Sequence, residues 1–328
     1  MRGIITSFLS VLIVSVIWSC KEDSSELTRE DEERSIISAY LDSMDLADIA
    51  AEDTSGIYAY PIISNPSGKS QNEGNVLSIF YKISVLGGQT IDVYDSLDGD
   101  TIVVKQGAGA IYPVGIDRAL AYLQEGETWG FVLPSHLAYG SYSYSTLIPE
   151  HSIILAELSL LKIRSESQVL DDELQAINRY VEDQELRDTV SNPYNQPEFL
   201  PNGMVYKRLS PGSGPYPSQD STVSITYESN YLNGVVVHRA PAAAPFEFVI
   251  GGAQVISGLE SGVLKMQQGE EALLIIPSYL AYRESAQVIP PFPEIYEDLV
   301  ELEVVPAYSS RIAPYRPLVF EIDLINVN

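Results

Sequence analysis

Cysteine is nearly absent from this 328-residue chain; Cys20 is the only one. A lone cysteine closes no internal disulfide, so the core must hold without cross-links. Basic residues are also scarce, 19 Lys and Arg against 45 Asp and Glu, giving a formal net charge of −26. Such a balance repels phosphates and anionic headgroups, which excludes binding nucleic acid or lipid by charge. The three histidines, His136, His151 and His238, lack the paired spacing of a zinc site, so no metal is expected. Gly107-Ala108-Gly109 lacks the strand–helix context of a nucleotide loop and reads as a hairpin or bulge. Long apolar runs are missing except for residues 4–17, which fall short of the about 20 residues of a transmembrane helix.

That run, preceded by Arg2, has the pattern of a signal peptide over 1–19. Its end, Ile17-Trp18-Ser19-Cys20, resembles a bacterial lipobox. The resemblance implies lipidation at Cys20 and anchoring in the cell envelope, in the outer membrane on its periplasmic or surface-exposed side. Lys21-Glu22-Asp23 resembles the acidic export signal of surface lipoproteins, with a solvated tether as the alternative. The polar, acidic stretch 21–33 reads as flexible.

The rest of the chain is duplicated. In residues 255–282, Leu259, Val263 and Met266 recur at i, i+4 and i+7, one face of a short helix. Gly258 and Gly269 on either side read as turns. Residues 272–276 read as a buried strand that Pro277 ends. The same order returns earlier in Gly115, Ile116, Leu120, Leu123, Gly126, Pro134, Ser135 and Tyr139. Ile36, Ile37, Tyr40 and Leu41 predict a helix before the first copy. Leu174, Ile177, Tyr180 and Val181, after the acidic Asp171-Asp172-Glu173, predict another before the second. Alternation predicts strands at 77–85 and 223–227, with turns at Gly87-Gly88 and Asn233-Gly234, and closing strands at 154–160 and 318–324. Short strands around one helix give an α+β class. The expected divisions are a leader at 1–19, a tether and helix at 20–52, a first domain at 53–164 and a second at 201–328. Between the domains, 165–200 is a helical linker that becomes loop-like at Asn192-Pro193, Asn195 and Pro197.

The order Tyr227, Asn233-Gly234, Pro245-Phe246-Glu247-Phe248, Gly251, Val255-Ile256-Ser257-Gly258, Gly269, Pro277, Ala281-Tyr282, Ile289-Pro290-Pro291, Leu318-Val319-Phe320 resembles an FKBP-type peptidyl-prolyl isomerase across 203–328. The first copy is similar across 56–163 through Tyr81, Gly88, Asp92, Gly115, Gly126, Leu137-Ala138-Tyr139-Gly140 and Ile148-Pro149. The resemblance implies two FKBP-like domains, each a curved antiparallel sheet wrapped on one short helix with a pocket between them. It implies isomerisation of proline-containing polypeptides without cofactor or metal. Tyr227, Phe246, Val255, Ile256, Tyr282 and Phe320 would carry catalysis, with the Ile256 N–H holding the substrate carbonyl. Val237, His238, Leu259 and Ile289 would contact substrate, the first three departing from the family's phenylalanine, aspartate and tryptophan. Arg283 stands where the family has glycine, and an insertion at 292–316 is expected to enlarge the pocket rim. The equivalents in the first copy are Tyr81, Asp92, Tyr139 and Ile148. There Ile91, Ile116 and Ala156 replace aromatics, and Pro113, which has no N–H, aligns with Ile256.

Taken singly, Phe246, Phe248 and Phe320 read as core, and only their joint spacing reads as a pocket. His238 stays open between a pocket residue and a solvated hairpin histidine. Two functions follow. One is a prolyl isomerase assisting the folding of exported proteins, with activity in the second domain. The other is a non-catalytic FKBP-like binding lipoprotein at the cell envelope.

Overall fold

The computed structural model describes residues 23–97, 100–109, 111–186, 196–285, 287–305 and 312–328. The leader, Cys20 and Lys21-Glu22 lie outside the described residues, as do Asn192-Pro193 and Asn195 of the linker. Residues 1–47 and 48–328 form two units. In the first, α1 spans Asp23–Ser43, so most of the stretch expected to be a flexible tether is helical. Arg29, Glu30, Glu32 and Glu33 favour helix intrinsically. Among the described residues no helix is long and apolar enough to cross a membrane.

The second unit contains two sheets of one design. The first uses β1 (Ala51–Glu52), β2 (Tyr58–Ile63), β3 (Val76–Val85), β4 (Thr90–Tyr94), β5 (Ile102–Lys105), β6 (Ile111–Tyr112), α2 (Val114–Ala119), β7 (Glu127–Leu133) and β8 (Ile154–Arg164). Its strand order is β1-β2-β7-β8-β3-β4, with β5 also on β3 and β6 outside it. After α3 (Glu166–Asp183) come β9 (Glu198–Phe199), β10 (Val205–Ser210), β11 (Thr222–Tyr231), β12 (Val236–Ala240), β13 (Phe246–Val249), α4 (Ser257–Val263) and β14 (Glu271–Ile276). They are followed by β15 (Gln287–Val288), α5 (Pro293–Glu301) and β16 (Leu318–Val327). The second sheet runs β9-β10-β14-β16-β11-β12, with β13 on β11, the same order strand for strand. Pairings within both sheets are antiparallel. The closing strands β8 and β16 lie in the middle, so neither sheet is complete until its last strand enters.

Each sheet covers its short helix. Ile116, Ala119 and Leu120 share a core with Leu77, Ile79, Phe131 and Leu158. Leu259, Val263 and Met266 share one with Val223, Ile225, Leu274 and Ile322. The other face of the second sheet presents Val205, Ile275 and Val319 to Ile177 and Val181 of α3. Burial on both faces explains the unbroken apolar run in β14. α3 begins earlier than its acidic residues suggested, because Ser165 and Gln168 form a reciprocal capping box. Gly258 is not a turn. It lies inside α4, where a Cβ would run into Ile276.

Candidate functional site

In the second sheet, β11 places Tyr227 and β16 places Phe320 two positions apart in register, since Ser229 pairs with Phe320. β13 brings Phe246 opposite Ile225. The Tyr227 ring lies 5.4 Å from Phe320 and 6.3 Å from Phe246, the latter nearly perpendicular at 89°. Edge-to-face contacts of this kind suit the ring quadrupoles. Phe246 stacks in turn on Phe248 at 5.9 Å. Val255 and Ile256, half-buried, pack against the same core, and Leu259 is buried beneath them.

Ile256 is the N-cap of α4, with φ −61° and ψ 145°. Its carbonyl accepts from the Leu259 and Glu260 N–H groups. Among the described residues its own N–H has no partner, as expected of the first turn of a helix. Pro113 is the N-cap of α2 in the first half, with φ −71° and ψ 149°. The two positions are therefore equivalent, and one of them has no donor.

His238 lies on β12 and not in the hairpin turn, paired in register with Ser229. Its Nδ1 is 2.9 Å from the Tyr227 hydroxyl, and the rings are 5.7 Å apart. That makes it an exposed rim residue in contact with the aromatic cluster. Asp92 holds the same place in the first half, where it accepts the Tyr81 hydroxyl at 2.5 Å. Val237 is half-buried against the second core. Tyr282 is 38 % exposed at the rim. Burial pushes the Tyr227 hydroxyl above its ordinary range, and neighbouring Tyr282 adds to the effect. Burial raises Tyr282 as well. Both hydroxyls thus stay protonated and available as donors well above neutral pH.

Ile289 was expected beside these residues, but it lies in the other half. It is buried, as is Pro290, and Ile289 belongs to the first core together with Val288, Ile295, Leu299 and Val305. β15 pairs in parallel with β6, aligning Gln287 with Ile111 and Val288 with Tyr112. The Ile289 N–H donates to the Tyr112 carbonyl at 2.8 Å. The Tyr139 hydroxyl donates to the Ile289 carbonyl at 2.6 Å. Phe292 faces Tyr144 at 6.3 Å, and the Tyr142 hydroxyl donates to Asp298 at 2.9 Å. The peptide bonds Ile289–Pro290 and Tyr112–Pro113 are both cis.

Residues 292–305 of the insertion, with Val288 and Ile289 before them, therefore cross to the first half and pack in its pocket. Ile312 and Ala313 return to the second half, so the part that crosses does not enlarge the rim of the second. The physical reason lies in the first half's small residues. Ile91, Ile116 and Ala156 stand where larger rings were expected, and they share the buried cluster with the apolar side chains of residues 287–305, the strap. Of the first-half site residues, Tyr81, Tyr139 and Ile148 are buried in that cluster. Burial drives Tyr139 well above its ordinary range, so its hydroxyl is a donor at any physiological pH. Burial and the Asp92 contact do the same to Tyr81. Sequence reasoning missed Tyr112, Tyr142 and Phe292. For Phe292 the signal available was its place at the start of an apolar and aromatic insertion; Tyr112 and Tyr142 carried none.

The sequence comparison agrees with this doubled architecture. The family model for FKBP-type peptidyl-prolyl cis-trans isomerase matches residues 68–161 and 214–325. The chain belongs to this family. A probable FKBP-type peptidyl-prolyl cis-trans isomerase FkpA of Neisseria meningitidis is 30% identical over 127 residues, covering 38% of each chain. FK506-binding protein 1 of Candida glabrata is 36% identical over 133 residues, 40% of this chain and 98% of that one. Peptidyl-prolyl cis-trans isomerase FKBP10 of Homo sapiens is 25% identical over 256 residues, 78% of this chain and 34% of that one. The chain thus spans well under half of the Neisseria and human relatives. A solved peptidyl-prolyl cis-trans isomerase from Pseudomonas syringae aligns at 26% identity and a TM-score of 0.34, over 48% of this chain and 95% of that one. Among the described residues of this FKBP-family chain, no group of His, Cys, Asp and Glu is placed to hold a metal ion.

Proposed function

We propose that the second half isomerises Xaa-Pro bonds in proline-containing polypeptides. The observation that carries this reading is the Tyr227–Phe246–Phe320 cluster beside the unpartnered Ile256 N–H. Rotation about the amide crosses about 18–20 kcal/mol because it breaks resonance. The twisted amide has less charge separation than the planar one, so an aromatic wall penalises the planar state more. The Ile256 N–H would hold the substrate carbonyl while the proline ring enters the aromatic cluster. Tyr227, held by His238, and the rim tyrosine Tyr282 would orient the flanking peptide.

The clearest test replaces Ile256 by proline. The native φ of −61° already suits proline, so the change removes the N–H, together with part of the half-buried isoleucine side chain, without demanding a new φ. A missing hydrogen bond to a desolvated carbonyl costs roughly 1–3 kcal/mol, or about one to two powers of ten in kcat/KM. A protease-coupled proline-peptide assay on the whole chain reads this. Unchanged activity in Ile256→Pro would remove the second half from the reaction.

A second reading, a binding module without catalysis, has one observation behind it. Ile289 and the insertion leave the second pocket for the first, which strips a wall from the proposed site. Absence of activity in the wild-type chain, with retained peptide binding, would favour it.

We further propose that the protein serves exported clients from the cell envelope, held by a lipid on Cys20. The reading rests on the leader and lipobox in the sequence. Its test is Cys20→Ser, which should move the chain from the membrane fraction to the soluble one. A variant that still sediments with membranes would show a different anchor.

A further inference from the structure

The segment between Ser285 and Ile312 leaves the second sheet through a narrow neck. There the Ser285 hydroxyl donates to the Ile312 carbonyl at 2.8 Å, and Gln287 Nε2 donates to the same oxygen at 3.2 Å. Beyond the neck its buried apolar side chains belong to the core of the first half. The strap is therefore tied to one half by the chain and to the other by contacts alone.

Those contacts are of the kind a bound peptide makes. Ile289 is gripped on both sides of its main chain, its N–H by the Tyr112 carbonyl and its carbonyl by the Tyr139 hydroxyl. Main-chain bonds of this type give affinity for an extended segment, and the surrounding pockets select its side chains. Here the selected pair is an apolar residue followed by a buried proline, Ile289-Pro290. The stretch after α5 is only partly covered, although Val305 at its end returns to the first core. Leu302 and Val304 are 59 % and 46 % exposed. A cavity of about 480 Å³ opens between them and Tyr112, Tyr139 and Tyr142.

We propose that residues 287–305 are a tethered ligand of the first pocket, which binds any extended apolar–proline segment in competition with its own chain. Linkage through the same chain gives a short-linker effective concentration on the order of 1 mM. A free peptide then binds the intact chain only weakly, because the competent pocket is rarely vacant. The proposal concerns binding to the first half, so it stands or fails separately from isomerase activity in the second.

The test joins Ser285 to Ile312 by a four-residue Gly-Ser linker, which the neck permits, and titrates a synthetic peptide of residues 287–305 by calorimetry. The strapless chain should bind the peptide at least tenfold more tightly than the intact chain. Tyr139→Phe in the strapless chain should weaken binding about fivefold, the worth of one hydrogen bond. A strapless chain that keeps its dichroism and Trp129 emission but does not bind the peptide would overturn the proposal, as would equal affinity for both chains. Should the strapless chain not fold, hydrogen exchange on the intact protein decides. The amides of α5 should open while β3 and β8 stay protected, and Tyr139→Phe should speed α5 exchange about fivefold without affecting the strands. Exchange of α5 only together with β3 and β8 would make the strap fixed core and end the idea.

Discussion

At the scale of single residues, one carboxylate recurs at the same place in both halves. Glu270 is buried and accepts from Arg208 Nε at 2.9 Å, from the Gln267 N–H at 3.1 Å and from the Tyr206 hydroxyl. Glu127 accepts from the Asn65 N–H at 3.2 Å, the Gln124 N–H at 2.9 Å and Trp129 Nε1 at 3.0 Å. Each ties the turn before a central strand to its neighbours. Glu270→Ala leaves three donors without their acceptor, one of them a guanidinium. Its expected cost is about 3 kcal/mol, the lower end for a broken buried pair because Arg208 is partly exposed. Urea denaturation measures it, and a loss under about 1 kcal/mol would mean that water replaces the carboxylate. Neither glutamate was legible beforehand, since a Gly-Glu pair in a turn looks like any solvated turn. Tyr227, Phe246 and Phe320 were legible, because three aromatics at family spacing on neighbouring strands meet whatever the loops do. Ile289 was not. Its neighbours in sequence belong to the second half, and only long-range packing sends it to the first.

At the scale of elements, the short helices were found through their apolar faces, while Gly258 was misread. A glycine next to an amphipathic run signals a turn by local reasoning. Gly258 and Gly262 instead let α4 approach β14, where a Cβ would meet Ile276 or Leu274. Gly115 does the same for α2 against Leu137 and Leu133. Close approach is a tertiary requirement, invisible to a rule about φ. Gly258→Ala should raise intrinsic helix propensity and still destabilise, because the core cannot admit the methyl group. The expected loss is about 1–3 kcal/mol. A shift of α4 away from β14 would also displace Ile256 at its N-cap, so proline-peptide activity should fall with stability. A stabilised variant would show that the helix packs less closely than these contacts require.

At the scale of the whole molecule, duplication is only half of the organisation. Two sheets of equal order could unfold as independent domains. Several contacts join them, among them the Arg316–Asp100 ion pair at 2.7 Å and the burial of Tyr315 with Val76, and two others are the main links. Glu173 of α3 accepts the Ser278 N–H at 2.9 Å and its hydroxyl at 2.6 Å, fixing the linker helix to the turn after β14. Burial raises the Glu173 carboxyl above its ordinary range even against these donors. The strap is the larger link, placing Ile289, Ile295, Leu299 and Val305 of the second repeat in the core of the first. Leu299 is wholly buried there. Leu299→Ala should therefore cost about 2–5 kcal/mol, and the loss should fall on the half that does not contain the residue in sequence. Trp129 on β7 reports that half, because the chain's only other tryptophan is Trp18 in the leader. The midpoint of its fluorescence change in urea should move down in Leu299→Ala. An unmoved Trp129 midpoint would mean that α5 adds nothing to the first core, and coupling of the halves would then rest on α3 and contacts such as the Arg316–Asp100 ion pair.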